Sequence, residues 1–516
     1  MTTHFLRMTG RLLMGILTLV VPPWAAAQTS GSQLVLGSLE EPASLSALVD
    51  LPHHFPEHAP QTLLYDSLTQ FMPDGTVRQK LAQKWTVSPN GLVYTFTLVP
   101  NAKFHDGTPI TAADVKFTFE AALNPDTKSS DEGLEDVEKV EAPDARTVRV
   151  TLKEMTPWFL AKGGARGIVP KHLLEGKDLS RDAFNQQPVG SGPYRLVGFT
   201  PGQSIVLEAV PGFYRGAAKI HRVVFKLLPD QNVILTQLRA GEIQYALLQP
   251  RDLAAVQQTT SLRVVESPTP RFYDLTMNFQ RPYWQDRRVR EAVLRGIDRE
   301  GIVQKVLLGH GQVVHANVTP ASWAYVKDVP TYPYDTTRAT QLLDEAGWKP
   351  GPDGVRAKAG VPLRFTVMLK NVDRTLEQVF VIAQQQLKQL GVECQIERVE
   401  PGVFPRRMQQ AKFDALSRIW NPVYDPEQTS LLRTGNSYGG YSNSRVDALL
   451  TQGRATLDPA RRKAIYGELQ RLLSQDLARL YLFTENELHV VTAGLRGVAW
   501  HPVNIFWNAK DWTLER

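Results

Sequence analysis

The sequence predicts an α/β protein with more than one core, on three observations. Residues 362–420 read strand, helix, strand, helix, strand, the order of a parallel sheet with right-handed crossovers. The first half instead carries short runs of alternating apolar and polar residues, the pattern of half-buried strands. The chain has 516 residues, too many for a single core, so two or three domains are expected.

The elements follow in chain order. Arg7 and Arg11 precede the apolar stretch Leu12 to Val21, and Ala25-Ala26-Ala27 offers a small-residue cleavage site before Gln28. Ten apolar residues cannot span a bilayer as a helix, which needs about 20. Residues 1–27 are therefore read as a signal peptide. Strand runs follow at 33–39, 93–98, 147–152, 204–210 and 222–228.

The second half turns helical. Apolar residues at helical spacing fill 287–308, broken softly near Gly296 and Gly301. Asp335 caps a helix that ends at Gly347, and Asp458 with Pro459 starts another over 460–477. Within the α/β stretch, strand 363–369 leads to helix 376–390, closed by Gly391. Strand 392–399, a short helix at 404–411 and strand 413–419 follow, ending at Trp420. Open parallel sheets bind ligands beyond the carboxyl ends of their strands. Position alone thus nominates Trp420 and the loop 421–428. No linker of low complexity interrupts the chain, so the domains should be joined by chain crossings at a hinge.

Composition narrows the function classes. The formal charge is +6, falling to about +4 once the leader with its two arginines is removed. No Lys/Arg run is long enough for a nucleic-acid patch. The single cysteine, Cys394, alternates with Val392 and Ile396 on one strand face and reads as a small buried hydrophobe. No cysteine follows the apolar leader, so a lipid anchor has no acceptor. An exported, unanchored chain is retained between two membranes, which points to a Gram-negative periplasm.

Catalytic signals are weak. His53, His54, Glu57 and His58 form an H-x-x-E-H pattern, but Pro56 breaks the helix that would put both imidazoles on one face. The default for this stretch is a solvated loop, with metal chelation as the alternative. Gly190-Ser191-Gly192 lacks the nucleophile-elbow frame, and no phosphate-cradling or dinucleotide motif is present. No catalytic residue, metal site or cofactor is expected.

The ordered motifs resemble the extracellular solute-binding proteins of family 5, the dipeptide, oligopeptide and nickel binders. Leu81-Ala82-Gln83-Lys84-Trp85, Ser88-Pro89-Asn90-Gly91 and Tyr94-Thr95-Phe96 look like one family stretch. Lys103 through Val115 (KFHDGTPITAADV) looks like the family signature. Pro188 through Tyr194, Asp286 through Ala292, and Tyr334 through Trp348 resemble three further motifs. Most of these residues read as structural: Gly107 and Gly192 as turns, Trp85 and Phe104 as core, Asp114 as a helix start. One departure is Gln244, where the family usually has an acid.

The resemblance implies a two-lobed periplasmic-binding-protein (Venus-flytrap) fold with an additional domain in the first lobe. Lobe I would comprise 28–60, 187–271 and 487–516, the extra domain 61–186, and lobe II 272–486. It implies capture of a small solute between the lobes and delivery to the permease subunits of an ABC importer by a monomer without enzymatic activity. The solute would be a peptide or peptide-like molecule; a metal chelate, an opine or a sugar conjugate is the alternative. An exported hydrolase and a chemoreceptor-presenting role are other classes.

The resemblance also aligns the loop after Trp420. In the family's peptide binders an aspartate three residues after the tryptophan pairs with the peptide's α-ammonium; here that position is Val423. Asp425 supplies the charge from two residues further on, or the ligand carries no ammonium at this spot, or Asp425 sets a turn before Pro426. The ligand-contact candidates are Trp420, Val423, Tyr424 and Asp425, with the aromatics stacking on the ligand.

Overall fold

The computed structural model describes residues 32–49, 59–129, 133–422 and 425–515. The leader, the His53–His58 stretch and the loop positions Val423 and Tyr424 lie outside the described residues.

A twelve-stranded sheet organises the chain. One end is the expected α/β unit. Strand Arg364–Lys370 pairs in parallel with Glu393–Val399 on one side and Ala415–Trp420 on the other. Between them runs helix Arg374–Gln389, whose start is fixed by Asp373 accepting the Leu376 N–H and whose exit passes through Gly391 at φ +73°. Cys394 is buried in that sheet, and burial pushes its thiol up to about 12.

The sheet as a whole is mixed, not parallel. Phe272–Met277 adds antiparallel to Ala415–Trp420. The long strand Leu480–Thr492 then pairs through residues 480–483 with Phe272–Met277, and through residues 486–492 with Leu262–Pro268 and Tyr245–Leu248. Beyond it lie Gln33–Ser38, Arg222–Leu227, Ser204–Ala209 and Tyr194–Thr200. The chain therefore passes between the halves of the sheet along two neighbouring strands. Each half has its own apolar core, one built around residues such as Leu36, Phe225 and Tyr245, the other around Leu275, Trp284 and Phe365.

A separate four-stranded antiparallel sheet, Ala82–Val87, Val93–Leu98, Thr147–Leu152 and Val137–Glu141, carries helix Ala112–Leu123. The signature residues hold this region together. Thr111 and Asp114 form a reciprocal cap at the helix start, and the other Asp114 oxygen accepts the Lys171 N–H. Phe104 is buried and Gly107 turns at φ +92°, whereas Trp85 is only half-buried at the edge of the core.

Gly192 sits at a bend, and close backbone approach is what requires a glycine there. A Cβ there would lie 2.3 Å from the Leu63 carbonyl, and one on Gly190 would lie 2.0 Å from that of Leu64. The glycines let two backbones touch. His105 clamps the same contact: its Nδ1 accepts the Gly190 N–H at 3.1 Å, and its Nε2 donates to the Gly192 carbonyl at 3.0 Å. This needs the neutral imidazole, and burial pushes His105 down to about 4, outweighing the Gly192 bond.

Gln244 also finds a structural reason. Its Oε1 accepts the Val35 N–H at 2.9 Å while its Nε2 donates to the Gly241 carbonyl at 2.8 Å. A carboxylate could make the first bond but has no donor for the second.

Candidate ligand-binding site

Trp420 ends its strand directly opposite Phe272, the first residue of the strand that leaves the crossing. Alternation puts Phe272, Asp274, Arg418 and Trp420 on one face, and Tyr481 joins them from the long crossing strand. Phe272, Val314, Trp420 and Tyr481 form a small apolar cluster there.

A charged group is built into this cluster. Asp274 is wholly buried. One of its oxygens accepts the Trp420 indole N–H at 2.7 Å; the other takes Arg479 Nη1 and the Thr276 hydroxyl, each at 3.1 Å. Burial pushes the Asp274 carboxyl above its ordinary range despite the Arg479 charge and the indole bond. The guanidinium carbons of Arg479 and Arg418 each lie 4.2 Å from the Trp420 ring centroid, inside cation–π range.

The Arg418 Nε donates to the Ile419 carbonyl at 3.3 Å, and its Nη1 approaches only the Met408 sulfur at 3.7 Å. Desolvation lowers its affinity for the proton below the ordinary arginine value; the Asp274 charge opposes that shift and Arg479 adds to it.

The loop that follows is arranged differently. Asp425 meets Arg462 in a bidentate pair, 2.7 and 2.8 Å, with both side chains 6% exposed. Its Oδ1 also accepts the Glu427 N–H at 3.1 Å. Arg462 is further held by the Gly453 carbonyl and the Tyr466 hydroxyl. Burial opposes the Arg462 charge, but Asp425 more than restores it and raises the guanidinium's pKa. Glu427 caps the next turn by accepting the Thr429 N–H at 2.7 Å. Gln428 and Asn317 exchange weak bonds at 3.4 Å.

The candidate residues thus divide. Trp420 sits at the carboxyl end of the parallel strands, 4% exposed, with its N–H committed to Asp274. Asp425 has both oxygens engaged inside the protein, which is the arrangement of the turn-setting alternative and leaves no free charge for a cationic ligand. Asp274, Arg418, Arg479 and Tyr481 escape a reading along the chain because they come from three segments distant in sequence, two strands and the start of a third. A signal was available: an acid inside the uniformly buried FYDLTM and an arginine inside ALSRIW are out of place in apolar strands unless paired. Among the described residues, no group of three metal-ligating side chains comes together.

The chain also closes on itself across from this loop. Arg454, at the end of helix Ser444–Arg454, bonds Glu154, reaches Asp136 at 3.3 Å and Glu427 at 3.9 Å, and lies 4.9 Å from the Trp158 ring. Asp136, Glu154 and Trp158 belong to the region of the four-stranded sheet, so one arginine ties that region to the loop that carries Glu427.

Comparison with known proteins gives this arrangement its family. The model of the bacterial extracellular solute-binding proteins, family 5, matches residues 76–442. The oligopeptide-binding protein AppA of Bacillus subtilis is 29% identical over 508 residues, 95% of this chain and 93% of that protein. The probable D,D-dipeptide-binding periplasmic protein DdpA of Escherichia coli is 29% identical over 500 residues, 93% of this chain and 94% of that protein. The solved structure of B. subtilis AppA with a nonapeptide superposes with a TM-score of 0.77 at 28% identity, covering 94% of this chain and 99% of that one. NikZ of Campylobacter jejuni with Ni(L-His) gives 0.78 at 27%, covering 93% and 99%. A two-lobed binding fold, a family match over most of the chain and a tryptophan at the strand ends agree: the chain belongs to the bacterial extracellular solute-binding proteins, family 5.

Proposed function

We propose that this protein is the exported receptor of an ABC importer, capturing one peptide or peptide-like solute per chain and handing it to the membrane permease. The observation that carries the reading is likeness over nearly the whole chain to binding proteins whose names specify oligopeptides and D,D-dipeptides. Affinity in such a receptor comes from enclosing the solute between lobes, with no bond made or broken. The lobes divide as 28–60, 187–271 and 487–516 against 272–486, with 61–186 as the extra domain; the two strand passages near residues 268–272 and 484–486 support this division. Export removes residues 1–27 and places the monomer in the periplasm. Trp420 and the loop through Val423, Tyr424 and Asp425 border the solute, with Asp425 shaping the loop through Arg462 rather than holding a cation.

The test is a thermal-shift screen of stripped protein against peptides and peptide-like solutes, followed by small-angle scattering. A cognate solute at a hundredfold excess over Kd should stabilise the protein by about 2.7 kcal/mol and compact it. Stabilisation with an unchanged scattering curve defeats closure, and turnover of the solute defeats the receptor reading. A second reading, a metal chelated by an amino acid, is favoured by the likeness to NikZ with Ni(L-His); Ni(L-His) therefore belongs in the screen.

A further inference from the structure

The charges around Trp420 do not balance. Two guanidiniums, Arg418 and Arg479, lie on the ring, and one carboxylate, Asp274, serves both. Asp274 and Arg479 are sealed in, whereas Arg418 is half-buried and is the member of the group that solvent reaches. No carboxylate among the described residues forms an ion pair with Arg418; its bonds go to a carbonyl and a thioether.

The neighbouring acids cannot make up the deficit. Asp425 is taken by Arg462, and Glu427 caps Thr429 and faces Arg454. Residues 421–424 are Asn, Pro, Val and Tyr, so the sequence offers no acid there. A cation arriving beside Trp420 meets a desolvated surplus of positive charge. A carboxylate arriving there meets a planar guanidinium with unused donors, suited to two parallel hydrogen bonds.

We infer that the solute presents a carboxylate to Arg418 beside Trp420, and that a free ammonium is disfavoured at this position. The inference rests on the solute-receptor reading above and specifies its ligand class as anionic at this end. Arg418 is then a specificity determinant, and the valine at 423 is consistent with a site that has no ammonium to neutralise.

A charge series on one scaffold tests it. N-acetyl-trialanine is anionic, N-acetyl-trialanine amide is neutral and trialanine amide is cationic. Calorimetry with stripped wild-type protein should rank them in that order, the anion binding about tenfold or more tighter than the cation, the size of one charged hydrogen bond. In Arg418→Gln and Arg418→Met the ranking should flatten to within about threefold, while Arg418→Lys keeps its direction. Melting curves establish that each variant is folded. Tightest binding by the cation, or a ranking that survives in the folded Arg418→Gln and Arg418→Met proteins, overturns the inference. If none of the three binds, the peptide-like reading fails instead. The anion claim is then decided on the solute that co-purifies with the protein: one without an acidic group, or one whose primary amide binds equally well, overturns it.

Discussion

One buried carboxylate–arginine pair holds Trp420 and another holds the loop that follows it, and the same residue types do opposite things in them. Asp425 and Arg462 face each other squarely, fork to fork, and the charges cancel. Asp274 meets Arg479 through one oxygen only, spends the other on the indole of Trp420, and has a second arginine nearby. The first pair closes a loop on helix Pro459–Asp476 and is complete without a ligand. The second sits deeper, is over-supplied with cation, and is the one that ligand charge can complete. Spacing from the tryptophan in the sequence points to Asp425; geometry points to Arg418, two residues before that tryptophan.

Removing each acid separates the pairs. Asp274→Ala strands Arg479 and the Trp420 N–H in a sealed site and leaves two uncompensated arginines there. It should cost about 4 kcal/mol in denaturant unfolding, the range for breaking a buried pair. Asp425→Ala leaves Arg462 with the Gly453 carbonyl and the Tyr466 hydroxyl, so about 3 kcal/mol is expected. Solute affinity of the folded Asp425→Ala protein should stay within about threefold of wild type. A larger cost at Asp425 than at Asp274 reverses the comparison. A tenfold loss of affinity in the Asp425 variant restores its direct role in binding.

How much of this was legible along the chain follows from the same contrast. The α/β unit at 362–420 was readable because its strands, helix and closing Gly391 are contiguous and each obeys a local rule. The crossing strand Leu480–Thr492 went unread: its apolar ends, LYLF and LHVV, are separated by Thr484-Glu485-Asn486-Glu487, which sit at the passage between the halves and interrupt the alternation. Trp420 was found from its position at a strand end. Arg418, Asp274 and Arg479 were not, because only the pairing of Phe272–Met277 with strands at 415–420 and 480–483 brings them together. Asp425 was noticed for its distance from Trp420, while its partner Arg462, beyond two intervening helices, carried no local sign.

The contrast between a completed and an incomplete polar group extends to His105, whose ring is fully engaged only when neutral. Its folded pKa of about 4 lies below the ordinary value of 6.5. The unfolded chain therefore takes up a proton first as pH falls. The stabilisation is whole above pH 6.5 and is lost on acidification from there to about pH 4, by roughly 3 kcal/mol for this residue. His501, buried and likewise lowered to about 4, acts in the same direction. His105→Gln should be less stable than wild type at pH 7.5 and should lose less of its remaining stability between pH 6.5 and 4. Parallel pH–stability curves for the two proteins would remove the clamp from the account.

Arg454 gives the smallest effect and the sharpest one on function. It is 22% exposed, and its partner Glu154 is 58% exposed, so screening leaves little of the nominal attraction. Its contacts nevertheless bridge two regions: Asp136, Glu154 and the Trp158 ring come from one side, Glu427 from the loop after Trp420 on the other. In the closing receptor proposed above, an interaction present only when the two sides meet adds to closure and not to the folding of either. Arg454→Ala should therefore weaken solute binding by about fivefold, near 1 kcal/mol, through faster dissociation. Its unfolding midpoint without solute should stay within about 1 °C of wild type. Arg454→Lys keeps the charge but not the fork and should fall between the two. If Arg454→Ala lowers the solute-free midpoint by as much as it lowers affinity, the arginine stabilises its own helix and the link between ligand loop and closure is lost.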